Sequence, residues 1–300
     1  MKPLDLIAIS DIYADLHVLS GLVSKLGENG RENRVAVIAG DIGVSSTKNY
    51  IESVCQVFTL LLKVNKYVLY VPGDSDEKQL EVNMPGVLNI DGKNYVLRFE
   101  DVNIGFLGLG GAPKHSVRGD EILPYLWDEN IPTMSAELET KLRINVQKVA
   151  HESPDHIILV THSPPYGVAD RSKPITLREI AVLEELLEEL KGEVKLETKK
   201  VMEKTSSTLR HLGSRVIRNF VRYYKPDIHI FGHVYKEGGK TQTEEGTKFF
   251  NVSHLSSLPY KLTGRNFLKL KITKEDIIPS FDHVITENNI SFSEFIEKYI

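Results

Sequence analysis

Short apolar runs and amphipathic stretches alternate through the first quarter of the chain. Residues 4–9, 34–39 and 67–71 are compact apolar runs of strand length and read as buried strands. Between them the apolar positions recur at helical spacing. Leu16, Leu19, Leu22, Val23 and Leu26 predict a helix over 15–26. Ile51, Val54, Val57, Phe58 and Leu61 predict a second over 47–62, with these residues on its buried stripe. Strand, loop and helix repeated in this order argue for a layered α/β core. Each apolar run ends near an acidic residue: Asp11 after Ser10, Asp41 after Gly40, and Asp74 after Pro72 and Gly73. Side chains at the ends of adjacent strands converge on one edge of a sheet, so these carboxylates are the first candidates for a site.

The pattern changes after Gly86. Short runs at 87–90, 95–98 and 102–109 predict a second, antiparallel sheet. A helix is expected over 135–150, with Ser135 as its N-cap ahead of Leu138, Leu142 and Val149. The run 157–161 predicts a buried strand delivering His162, and 228–231 one delivering His233. Leu209, Leu212, Val216, Phe220 and Tyr223 mark a helix over 207–224, and hairpin-like runs follow at 240–243, 247–252 and 267–272. Leu177, Ile180, Leu183, Leu187 and Leu190 give a charged amphipathic helix with heptad-like spacing, continuing into Lys- and Glu-rich sequence up to Lys204. A last helix is expected after Ser291. With no repeat and no low-complexity linker, the chain reads as a single domain over 1–300.

Composition adds mainly exclusions. The 300 residues are 41% hydrophobic and 26% charged, as in a water-soluble globular domain. A net charge of −4 gives no electrostatic case for nucleic acid or an anionic membrane. No apolar stretch is long enough to span a bilayer. The N-terminus leads straight into the first strand, so no signal peptide is expected. Cys55, the only cysteine, reads as a small buried hydrophobe, and a reducing cytoplasmic setting is the expectation.

Five short motifs bind these observations together: Ser10-Asp11-Ile12-Tyr13, Gly40-Asp41, Gly73-Asp74-Ser75-Asp76, Thr161-His162-Ser163-Pro164 and Gly232-His233-Val234-Tyr235. In order and spread they resemble the calcineurin-like metallophosphoesterases, whose pattern is D-x-H, G-D, G-N-H-[DE], H and G-H-x-H. The resemblance implies a four-layer α-β-β-α sandwich of two mixed sheets flanked by helices. It spans 4–252. It leaves 177–204 as a helical insertion, either packed on its own domain or serving as an arm for self-association or a protein partner. It leaves 273–300 as a C-terminal extension.

The resemblance also implies a chemistry. Members hold two metal ions, and an activated water attacks phosphorus in line. Carried over residue by residue, Asp41 is the bridging carboxylate. Asp74 (standing where Asn is expected), His162 and His233 complete a second ion site with it. This donor set suits Mn, Fe or Zn. Asp11 matches the first ion site, but Tyr13 and Tyr235 stand where that ion needs histidines. A neutral phenol with an ordinary pKa of about 10 is a poor ligand. A trivalent iron held by tyrosinate, as in the related purple acid phosphatases, is an alternative. Ser75 replaces the histidine that protonates the leaving group. The implied cofactor is therefore a divalent metal, one ion per chain rather than two.

Other residues have both functional and bland readings. His115, with Lys114 and Arg118, lies in a Gly/Pro loop and is a candidate substrate contact, as is His254 at a strand end. His17 reads as helix surface and His229 as a satisfied sheet residue. Two functions stay open. One is a metallophosphoesterase hydrolysing a phosphoester weakly through one retained metal site. The other is an inactive protein of the same fold that binds a protein or a phosphate-containing ligand, similar in kind to the retromer subunit of this fold.

Overall fold

The computed structural model describes residues 3–116, 123–172, 210–256 and 266–284. Strands β1 (Leu4–Ile9), β2 (Arg34–Ala39) and β3 (Tyr67–Val71) run parallel, joined by helices α1 (Leu16–Leu26) and α2 (Tyr50–Leu62). Asp15 caps α1, accepting from the Val18 amide at 3.2 Å. Helix α2 starts later than its spacing suggests, and Ile51 is 47% exposed. Tyr50 takes the inward position and donates its hydroxyl to Asp76 at 3.1 Å.

Strand β4 (Val87–Asn89) pairs parallel with β3, so this run belongs to the first sheet and not to an antiparallel second one. The connection 72–86 is long enough for the crossover that a parallel pair needs. The second sheet begins with β5 (Asn94–Arg98) and β6 (Asn103–Leu109), an antiparallel pair. A small parallel pair follows, β7 (Ala112–Pro113) with β8 (Leu126–Trp127). Helix α3 (Pro132–His151) leads to β9 (His156–Thr161), parallel to β6. Pro132, with its fixed φ and missing N–H, opens α3. Ser135 is therefore not the N-cap; it lies inside the first turn and donates its hydroxyl to the Glu129 carbonyl at 3.0 Å.

Strands β10 (Arg171–Ser172) and β11 (Arg210–His211) form an antiparallel ribbon, and α4 (Arg215–Tyr224) leads into β12 (Ile228–Phe231). The hairpin β13 (Thr241–Glu244) and β14 (Thr247–Asn251) completes the second sheet, in the order β13-β14-β12-β9-β6-β5. Strands β15 (Asn266–Ile272) and β16 (Ile277–His283) return to the first sheet, in the order β16-β15-β1-β2-β3-β4. Part of the stretch expected as an extension is thus an edge strand. Its pattern hides this: Pro279 sits on it, and only Ile277 is buried. The expected helices within 177–204 and after Ser291 lie outside the described residues. Among the described residues no helix is long and apolar enough to cross a membrane.

Three apolar clusters define four layers. Leu6, Val37, Leu69, Phe106, Val160 and Ile230 meet between the two sheets. Leu22, Val54 and Phe58 pack α1 and α2 on the first sheet. Leu142, Val149 and Phe220 pack α3 and α4 on the second. The expected α-β-β-α sandwich is borne out, with two mixed sheets. The parallel strands β1, β2, β3, β9 and β12 end toward one edge, where the loops meet.

His229, inside β12, is fully buried; its Nε2 lies 2.8 Å from the Thr161 hydroxyl, while Nδ1 has no partner. Burial pushes its pKa down to about 3. The folded state thus holds it neutral while the unfolded chain protonates it near its ordinary value, so stability falls as pH drops below about 6.5. At pH 4.5 this single group costs about 3 kcal/mol. His229→Gln is expected to lose correspondingly less stability between pH 7 and pH 4.5 in urea unfolding. Equal losses in variant and wild type would show that His229 does not set the acid limb.

Candidate metal centre

The first loop leaves β1 at Ser10 and bends back under the second. The amides of Asp11, Ile12 and Tyr13 donate to the carbonyls of Gly40, Asp41 and Asp41 at 3.0, 2.8 and 3.0 Å. Asp11, Tyr13, Asp41 and His233 all have positive φ, between 50 and 70°. Non-glycine residues in this region cost of order 1–3 kcal/mol each and cluster at functional sites. Gly73 is held by closeness: a Cβ there would lie 2.0 Å from Asp41 Oδ1. Gly40 has φ +89°, and a Cβ on it would meet His162 Nδ1 at 2.3 Å.

Asp76, quoted in the third motif without a role, ties these loops together. Its carboxylate accepts from the amides of Ile42, Gly43 and Gly73 at 3.0, 3.0 and 2.8 Å, and from Tyr50. Its site is fully buried, so removing it strands several backbone donors at once.

The loops bring Asp11, Asp41, Asp74, His162 and His233 together. Two groups have ligand atoms within 4.8 Å of one another: Asp74 with His162 and His233, and Asp11 with Asp41 and His162. Asp11, Asp41, Asp74 and His162 are 0, 1, 3 and 0% exposed. His162 donates Nδ1–H to the Ala39 carbonyl at 2.8 Å, which leaves Nε2 facing Asp74 Oδ1 at 3.0 Å and Asp41 Oδ1 at 3.6 Å. Fixing one ring nitrogen on a carbonyl is the usual way to aim the other at a metal. His233 Nδ1 lies 3.6 Å from Asp74 Oδ2, and its amide donates to Asp11 Oδ2 at 3.3 Å. Asp11 Oδ1 and His233 Nε2 are buried with no hydrogen-bond partner.

The charges are mutually dependent. Burial, then Asp74 and Asp11, pushes Asp41 well above the usual carboxylate range, against the pull of His162. Burial would also raise Asp74, but His233 and His162 together hold it well below that range. Burial works against the His162 cation, yet Asp41 and Asp74 push its pKa well above the ordinary value. Packed carboxylates that share an imidazole and retain orphaned acceptors are a donor set suited to a divalent cation.

Tyr13 and Tyr235 lie against this cluster. The Tyr13 hydroxyl donates to Asp41 Oδ2 at 2.5 Å and makes a short contact with the Tyr235 hydroxyl. Burial, then the neighbouring carboxylates, raises both phenols well above their ordinary pKa, so both stay protonated. Ser75 approaches through its backbone, its amide donating to Asp41 Oδ1 at 3.0 Å. His254 is buried beside Tyr235, with ring centroids 4.9 Å apart, and neither of its ring nitrogens has a partner. His115 is not in the cluster; it is exposed, and its Nε2 bonds the Gly213 carbonyl at 3.1 Å. Arg118 lies outside the described residues. His17 is exposed on α1.

The family model for calcineurin-like phosphoesterases matches residues 4–237. This chain belongs to that family. Such phosphoesterases act on phosphoesters and typically bind divalent metals, and the buried groups above are candidate metal-binding groups. Among solved structures, the protein TT1561 of Thermus thermophilus is similar at 13% identity and TM-score 0.55, covering 93% of this chain and 99% of that one. The NAD nucleotidase NadN of Haemophilus influenzae matches at 12% identity and TM-score 0.46, covering 94% of this chain and 50% of that one. At 13% identity the likeness to TT1561 shows the fold alone. No match is found among curated proteins.

Gly73→Ala would force its Cβ into Asp41 Oδ1 and the Asp41 amide. The expected outcome is loss of Mn²⁺ or Zn²⁺ binding in calorimetry, with a stability cost of about 3 kcal/mol or more from overpacking. Wild-type affinity in this variant would show that the two loops do not meet as described.

Proposed function

We propose that this phosphoesterase hydrolyses a phosphoester through one metal site formed by Asp41, Asp74, His162 and His233, with Asp11 at its edge. The observation that carries the reading is the His162 ring, anchored on Ala39 and aimed between Asp41 and Asp74. A divalent ion such as Mn, Fe or Zn, when bound, supplies Lewis-acid stabilisation of phosphoryl charge and makes water a better nucleophile. The protein excludes solvent from the carboxylates, fixes their orientation through Asp76 and the backbone amides, and offers His233 Nε2 without a competing partner.

The first ion position does not fit a second divalent metal. Two protonated phenols stand there, one of them donating to Asp41. This supports about one ion per chain and weak turnover, because a single ion clamps the transition state less completely. The same contact, with Ser75 in place of a proton-donating histidine, supports a second reading: a non-catalytic member that binds a phosphate-containing ligand or a protein partner. The insertion 177–204 is the segment we would assign to such a partner or to self-association. A cytoplasmic location is part of the proposal.

Elemental analysis of protein purified without chelator is expected to find about one Mn, Fe or Zn ion per chain, and His233→Ala to hold less than about a tenth of that. The double variant Tyr13→His with Tyr235→His is expected to bind about two ions and to hydrolyse 4-nitrophenyl phosphate at least ~10-fold faster. Unchanged metal content in the double variant would overturn the assignment of the phenols to the first ion position. A wild-type protein that takes up no ion when Mn²⁺ or Zn²⁺ is supplied would leave only the binding reading.

A further inference from the structure

The site lacks the histidine that serves a leaving group, yet an imidazole with the right support is held on a ribbon whose partner strand packs beside the His233 loop. Asp170 is 1% exposed and accepts from the amides of Gly167 and Gly213 at 2.9 and 3.2 Å. Its other oxygen accepts from His211 Nδ1 at 2.8 Å. The bond fixes the His211 tautomer, so Nε2 is the free position. Among the described residues Nε2 has no hydrogen bond, and the side chain is 30% exposed. One face of the ring lies on Tyr166, centroids 4.7 Å apart, and Arg215 lies over Tyr166 at 5.4 Å. A buried carboxylate holding an imidazole by Nδ1, with Nε2 exposed, is the arrangement used for proton transfer.

The loops place this pair beside the metal cluster. The Arg171–Ser172 strand, which pairs with Arg210–His211, packs on the turn Tyr235–Glu237, two residues after His233. Asn251 donates to both the Ala169 and Val234 carbonyls at 3.2 Å, tying the Asp170 loop to the His233 loop. From the other side, the Ser214 amide donates to the Pro164 carbonyl at 2.8 Å, two residues after His162. Arg171 stands opposite His211 in the ribbon, so both project on one face, and Arg171 is exposed. Arg171 puts one cation on that face, which suits an anionic phosphoester.

We propose that His211, oriented by Asp170, protonates the leaving group, the task of the histidine that Ser75 replaces. The inference rests on the hydrolase reading above. In the step, a water oxygen bonds to phosphorus as the bond from phosphorus to the leaving oxygen breaks. The leaving oxygen takes the Nε2 proton of His211 in its imidazolium form, the attacking water gives up a proton to solvent, and His211 is reprotonated at Nε2 from solvent.

Leaving-group dependence tests this on the metal-loaded full chain, using phenyl phosphate and 4-nitrophenyl phosphate. A 4-nitrophenolate departs without a proton, whereas phenolate needs one. His211→Ala and His211→Gln are expected to lower kcat on phenyl phosphate by ~10²-fold or more and on 4-nitrophenyl phosphate by less than about threefold. Unchanged thermal unfolding in either variant keeps the comparison valid. An equal fall on both esters, or a rise in KM with kcat unchanged, overturns the proton-donor role while leaving the hydrolase reading intact. If wild type hydrolyses neither ester, the hydrolase reading falls and this proposal falls with it.

Discussion

Three buried carboxylates converge on one buried imidazole, and the arrangement of this fold follows from keeping them there. Ionised groups removed from water are costly unless paired or coordinated. Asp11, Asp41 and Asp74 gather around His162, and two of them are driven apart: Asp41 is pushed up, Asp74 held down. Each group comes from the end of a different buried strand or the loop directly after it. The convergence is possible because the two sheets pack face to face with those ends toward one edge. Left-handed backbone at Asp11, Asp41 and His233 and glycines at Gly40 and Gly73 are local costs of that closeness.

The cluster is lopsided. On one side, His162 and His233 present ring nitrogens to Asp74, and His233 Nε2 is buried without a partner. On the other, Tyr13 and Tyr235 meet over Asp41. Both phenols are too deeply buried, and too near carboxylates, to ionise at neutral pH. Tyr13 therefore acts as a donor to Asp41, and the Tyr235 hydroxyl meets the Tyr13 hydroxyl.

The rim is built by a different part of the chain from the cluster. Asp170, Tyr166, His211 and Arg215 come from the segments that flank 173–209: the buried Asp170 carboxylate holds His211, whose ring lies on Tyr166, and Arg215 lies over Tyr166. Glu129 adds to this at the start of α4, accepting from the Ser214 hydroxyl and the Arg215 amide. Asn251 and the Ser214–Pro164 bond tie these segments to the loops that carry His233 and His162.

Much of this was legible in the sequence because it is local. A buried parallel strand is a short apolar run, and a loop that must approach another backbone ends in Gly followed by a polar residue. Such patterns placed β1, β2, β3, β9 and β12 and the five residues at their ends. Three features were not legible. Strand β4 joins the first sheet through a pairing that no local period encodes. Strand β16 is an edge, so its side chains alternate too weakly to stand out. The contact of Tyr13 with Tyr235 spans 222 positions, and that of Asp170 with His211 spans 41. Sequence determined which groups stand at the strand ends, because burial and turn chemistry act over a few residues. Tertiary structure alone decided which of them touch, because such contacts are set by how the sheets and loops pack.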